Sequence, residues 1–153
     1  MIHKPLLLLI ASSISLVAYA DNDYIRPLSQ SKVYQAECAS CHMAYQPRLL
    51  PAQSWQRIMN NLPNHYGSDA SLDSATIKEI STWLIDNAST YEHVSHPPKD
   101  DRITESTWFK RKHRKIGEEV WLRASIKSPA QCMACHTAAE NGNYDDDFVK
   151  IPK

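Results

Sequence analysis

The sequence predicts a mostly α-helical protein, and three observations carry that prediction. Glycine is scarce, with three residues in 153. No stretch has the alternation and turn spacing of repeated hairpins. Residues 74–87 place Ile77, Ile80 and Leu84 at helical spacing, with Trp83 beside them and Asp73 in position to cap the first turn.

The elements follow in chain order. Residues 1–20 combine a basic start, "MIHK", an apolar run, "PLLLLIASSISLV", and the small-x-small pattern Ala18-Tyr19-Ala20, which together predict a cleaved export signal. The run is shorter than the ~20 apolar residues of a spanning helix. The mature chain should begin near Asp21 and have 133 of the 153 residues. A first unit is predicted over 21–90. It has a helix over 29–41, a loop with Pro47 and Pro51, a short helix over 52–61, the loop "NLPNHYGSD", and the helix over 74–87. Residues 91–103, beginning "YEHVSHPPKDDR", lack periodicity and contain two prolines, so they are predicted as a linker. A second unit over 104–153 should start with Thr104 capping a helix from Glu105 that carries Trp108, Phe109 and the basic run "RKHRK" (111–115) to at least Ile116. Ser128-Pro129 has the form of an N-cap followed by proline at the first helical position. The tail turns at Asn141-Gly142 and reads as irregular.

Charge excludes one class of function. Seventeen basic and seventeen acidic residues balance to zero, so no overall field draws the chain to nucleic acid. The four cysteines point to another class. All of them fall in two copies of one pattern, Cys38-Ala-Ser-Cys41-His42 and Cys132-Met-Ala-Cys135-His136, 94 residues apart. Disulfides, the usual state of exported cysteines, explain neither the two-residue spacing nor the histidine after each pair. A Cys₂His₂ zinc site needs its histidines downstream at spaced positions, and a thioredoxin-like pair needs a surrounding βαβ pattern. C-x-x-C-H is the attachment signature of haem c. Two thiols a helical turn apart add across the two vinyl groups of one porphyrin, and the next residue presents an imidazole to the iron. Two covalent haems, one per unit, are therefore expected. Helix, haem motif, loop and helix is also the general plan of a class I cytochrome c domain, which the first unit should adopt. The second should be a small, irregular helical haem domain.

His42 and His136 are the expected proximal ligands. Of the other histidines, His3 leaves with the export signal, and His65, His93, His96 and His113 remain. Met43 and Met133 adjoin or lie within an attachment motif and cannot reach the opposite face of the haem, so Met59 is the one methionine candidate. At the first haem, His65 lies on a loop after a helix long enough to pass the haem edge, with Met59 as its rival. At the second, Phe109, His113, Ile116 and Val120 share one face if the helix continues. His113 then points inward while Arg111, Lys112, Arg114 and Lys115 flank it. His93 and His96, on the linker, remain its rivals.

The chain resembles the dihaem cytochrome c family DHC. The resemblance rests on "ECASCHMAYQPRLLPAQSWQRIMNNLPNHYGSDASLD" in the first unit. In the second it rests on "ITESTWFKRKHR" and "SPAQCMACHTAAENGNYDDDFVKIP". It implies two bis-histidine haems in a two-domain periplasmic protein, with Cys38, Cys41, His42 and His65 at the first and Cys132, Cys135, His136 and His113 at the second. It further implies electron donation to a small oxygen-binding haem protein, SHP, and electron receipt from a membrane b-type cytochrome. The expected function is a low-potential electron carrier, not an enzyme. The alternatives are a small dihaem peroxidase or reductase, which needs one releasable axial ligand, and a sensor in which haem is structural.

Overall fold

The computed structural model describes residues 31–153. The export signal expected over 1–20 lies outside the described residues, as does the start of the helix expected from residue 29. Among the described residues there are five α-helices and no strand. They are α1 (Lys32–Cys38), α2 (Ala52–Met59), α3 (Ser74–Asp86), α4 (Thr107–Lys112) and α5 (Glu118–Trp121), connected by turns of 3₁₀ helix. The mostly helical class is therefore the class observed.

The N-terminal half is built on α3, which packs on α1 and α2. Asp73 starts α3 by accepting hydrogen bonds from the Ala75 and Thr76 amides at 2.9 and 3.1 Å, satisfying donors that the helix itself cannot. Ile80 and Leu84 bury against Tyr34 of α1, Trp55 and Met59 of α2, and Ala44, Leu50 and Leu62 of the connecting loops. The Trp55 indole N–H donates to the Pro47 carbonyl at 2.7 Å, which fixes the loop that leads out of the first cysteine motif. Ser31 caps α1 through the Tyr34 amide. The helix stops at Cys38, short of the predicted residue 41, and Cys41 and His42 lie in the turn that follows.

Residues 91–103 are not a loose connection. They form three 3₁₀ turns, Glu92–Val94, Lys99–Asp101 and Ile103–Glu105. They are held to the N-terminal half by the Arg57–Asp101 ion pair, with Arg57 Nε 2.8 Å from the carboxylate, and by the Tyr66 hydroxyl donating to the Asp100 carbonyl at 3.0 Å.

Two sequence-based expectations for the C-terminal half are corrected. The helix predicted from Glu105 past Ile116 is two short helices. Ser106, not Thr104, supplies the cap, accepting from the Phe109 amide at 3.2 Å, because Ile103–Glu105 is already a 3₁₀ turn. α4 ends at His113, whose imidazole Nδ1 donates to the Phe109 carbonyl at 2.9 Å while its own amide binds the same oxygen. The chain turns there, and extended Gly117 begins α5 afresh. The helix expected from Ser128-Pro129 is likewise replaced. The Ser128 hydroxyl accepts from the Ala130 amide at 3.2 Å as an N-cap would, but the Ser128 carbonyl accepts from the Gln131 amide at 3.0 Å in a single turn that no α-helix continues. Only Cys132–Ala134 is helical there, as one 3₁₀ turn.

Candidate haem sites

The first motif hangs from the end of α1. Cys38, the last helical residue, packs partly against the core, while Cys41 is exposed. His42 Nδ1 donates to the Met43 carbonyl at 2.7 Å, which leaves Nε2 to present its lone pair. The ring that faces His42 is His65, with ring centres 6.1 Å apart and planes 24° from parallel. Burial, then the neighbouring His42, holds the His65 imidazole below its ordinary pKa, so it stands neutral with a lone pair available.

His65 is delivered by a tight loop. Its amide donates to the Ser68 carbonyl at 2.8 Å and its carbonyl accepts from the Ser68 amide at 3.1 Å, closing over Tyr66 and Gly67 at φ 53° and 97°. Tyr66 tolerates its left-handed backbone because its ring is held from outside, by the Asp100 carbonyl and by the Arg102 guanidinium 4.3 Å above it. A Cβ at Gly67 would meet nothing within 4 Å, so Gly67→Ala tests backbone strain alone. It should destabilise the haem-loaded protein by about 1–2 kcal/mol, the cost of a left-handed non-glycine residue, read by denaturant titration.

In the second site the ring facing His136 is His113, with centres 6.0 Å apart and planes crossed at 79°. Between them opens a cavity of about 1110 Å³, bordered by Cys132, Cys135 and Tyr144 on one side and by Phe109, Val120 and Trp121 on the other. His113 is half-buried, whereas the basic residues on either side of it are exposed. Arg111, Lys112 and Lys115 stand at the cavity rim with Arg48, while Lys110 pairs with Glu105 at 2.7 Å. Of the rival histidines, His93 lies exposed on the same rim, its ring on Tyr91 at 5.7 Å, and His96 lies on a neighbouring cleft beside Ser95. Met59 is buried in the N-terminal core among Trp55, Ile80 and Leu84.

These residues fit a haem in each place. A metal–imidazole bond of about 2 Å, with about 1 Å more to the ring centre, puts two imidazoles on opposite sides of one metal about 6 Å apart. Both histidine pairs have that separation. The four cysteines are free of disulfides. Burial, then Glu37 and Cys41, pushes the Cys38 thiol up to about 11, and burial pushes Cys132 up to about 11, so both are neutral thiols at pH 7.

The two sites are joined through residues that the spacing argument missed. Tyr45 lies on the His42 ring, with centres 4.9 Å apart, and its hydroxyl donates to the Ala130 carbonyl at 2.9 Å, two residues before Cys132. Burial, then the nearby Cys132, pushes this phenol up to about 12, which keeps it a donor. Gln46, only 3 % exposed, donates from Nε2 to the Glu140 carbonyl at 2.9 Å. A weak signal of this was in the sequence. Each motif is followed by alanine two residues after its histidine, Ala44 and Ala138, and by Gln46 or Glu140 at four. Of these matched positions, Gln46 and Glu140 meet directly across the two segments.

Comparison with known proteins identifies the family. The family model described as "Dihaem cytochrome c" matches residues 34–144. The chain is similar to the crystal structure of the dihaem cytochrome sb-DHC from Shewanella baltica OS155. The identity is 40% and the TM-score 0.72, over 82% of this chain and 95% of that one. It is also similar to two structures of the dihaem cytochrome DHC from Rhodobacter sphaeroides. One is 41% identical over 76% of this chain and 99% of that one, and the other 38% identical over 77% and 99%, both with a TM-score of 0.67. No curated protein matches the chain.

Proposed function

The chain belongs to the dihaem cytochrome c family and so carries two haem c groups for electron transfer, and from that premise we propose that it is a periplasmic bis-histidine carrier passing single electrons. The observation that carries this reading is the matched pair of facing imidazoles, at 6.1 and 6.0 Å. Cys38 and Cys41 attach the first haem, with His42 and His65 as its axial ligands. Cys132 and Cys135 attach the second, with His136 and His113. When bound, each haem supplies a one-electron change at an iron with both axial positions filled. The residues of the chain hold the ligands, fix their tautomers through the Met43 and Phe109 carbonyls, and exclude added ligands. Residues 21–90 form the first haem domain and 104–153 the second.

An iron closed on both sides binds no substrate, which favours a carrier over a peroxidase or reductase. No helix of the described residues is long and apolar enough to cross a membrane. With the leader over 1–20 removed, the protein works in the periplasm, taking electrons from a membrane b-type cytochrome and passing them to a soluble haem protein of the SHP kind. Arg48, Arg111 and Lys115 at the rim of the second cavity suit an acidic partner surface, where charge steers encounter and orientation.

The test is ligand exclusion combined with electron exchange. The reduced protein should leave its absorption spectrum unchanged on mixing with carbon monoxide, and the oxidised protein should not bind cyanide rapidly. Both haems should nevertheless exchange electrons with a small-molecule redox partner in stopped flow. Rapid carbon monoxide binding at either iron would overturn the closed carrier in favour of the enzyme, and failure to exchange electrons would favour the sensor.

A further inference from the structure

The two histidine pairs have the same separation but not the same orientation. At the first site the imidazole planes are 24° apart, and at the second 79°. What holds the second angle is legible. The His113 ring lies on the Phe109 ring, with centres 4.0 Å apart and planes 24° from parallel, and His113 Nδ1 donates to the Phe109 carbonyl at 2.9 Å. Two restraints from one buried residue fix both the tilt and the spin of the imidazole. Trp121 closes the remaining side, its ring centre 5.7 Å from that of His113. Across the cavity His136 meets Tyr144 at 5.5 Å. At the first site Tyr45 plays the equivalent part, lying on His42 with planes 29° apart while His42 Nδ1 is tied to the Met43 carbonyl.

We propose that Phe109 is a positioning residue that holds His113 crosswise to His136, so that the two irons, with the same ligand types, are electronically unlike. The inference rests on the histidine assignment above. The π orbital of an axial imidazole lies perpendicular to its ring and acts on one of two iron d orbitals. Parallel rings act on the same orbital and split the pair. Crossed rings act on one each and leave the pair nearly equal in energy. An unpaired electron in a split pair gives a rhombic spectrum with its g values resolved. In a nearly equal pair it gives one broad feature at low field. The orientation of axial ligands is among the levers by which a protein distinguishes two otherwise similar cofactors.

Electron paramagnetic resonance of the oxidised, haem-loaded protein decides it. The wild type should show one rhombic low-spin signal and one broad low-field signal. Phe109→Leu keeps the backbone carbonyl and an apolar filler but removes the flat ring beneath His113. It should shift the broad signal toward the rhombic form and leave the first signal where it was. Two rhombic signals in the wild type would overturn the crossed arrangement while leaving both bis-histidine assignments standing. A high-spin or methionine-type signal would overturn the ligand assignment itself, and the inference with it. An unshifted broad signal in Phe109→Leu, measured on protein that retains both haems, would remove Phe109 from the role.

Discussion

Replacing His113 by alanine should leave the second haem attached, convert its iron from low-spin to high-spin, and let it bind carbon monoxide. Attachment depends on Cys132 and Cys135, at the start and the C-cap of a 3₁₀ turn that is separate from α4 and is tied to the first half by Tyr45. Removing an imidazole from the far wall leaves those thioether positions alone. It does empty the site facing His136, since His113 is the histidine whose ring stands 6.0 Å from that ring. The substitution also removes the hydrogen bond to the Phe109 carbonyl at 2.9 Å. That loss should destabilise the protein by about 1 kcal/mol, too little to unfold it. The first haem is the internal control, because its pair, His42 and His65, shares no residue with the second pair. His65→Ala should produce the mirror result, a high-spin first haem beside an unchanged second. His96→Ala should change neither iron. If His96→Ala opened the second iron and His113→Ala did not, the assignment would have to move to the segment at 91–103.

How much of this was legible in the sequence depends on the range of the interaction. The two C-x-x-C-H motifs and the Asp73 cap are local chemistry, written within a few residues, and α3 is observed within one residue of its predicted end. The helical wheel paired Phe109 with His113 correctly, because the two are one turn apart and α4 persists across that turn. It failed beyond His113. Extending the stripe to Ile116 and Val120 assumed a continuous helix, whereas the imidazole binds the Phe109 carbonyl and the chain turns before Gly117. Val120 reaches the same cavity nonetheless, by tertiary folding and not by periodicity. Tyr45 and Gln46 were invisible for a different reason. Their partners, Ala130 and Glu140, are backbone carbonyls 85 and 94 residues away, and a carbonyl has no identity in a sequence. The prolines of 91–103 predicted a linker, but Arg57 and Tyr66 hold that segment through contacts with no short-range signature.

Ile80→Ala should be strongly destabilising, lowering the melting temperature of the haem-loaded protein by on the order of 10 °C. Ile80 is 0 % exposed, at the middle of α3, in the cluster formed by Tyr34, Ala44, Leu50, Trp55, Met59, Leu62 and Leu84. Truncating a buried isoleucine to alanine typically costs about 2–5 kcal/mol, because the transfer energy is lost and a cavity is left that close-packed neighbours fill only in part. The location of those neighbours gives the cost a functional direction. Leu62 begins the 3₁₀ turn that ends at His65, and Ala44 lies two residues after His42, so both walls of the first site rest on this core. Tyr34, from the same cluster, donates to the Tyr45 carbonyl at 2.9 Å, and Tyr45 lies on the His42 ring. Heating the variant should therefore disturb low-spin ligation at the first haem before the second, followed through the rhombic resonance signal and the absorption bands. Ile77→Ala, on the same helix but only partly buried, should cost much less. A melting temperature within about 2 °C of wild type for Ile80→Ala would mean that the covalent haem, not the helical core, carries the stability of the first half.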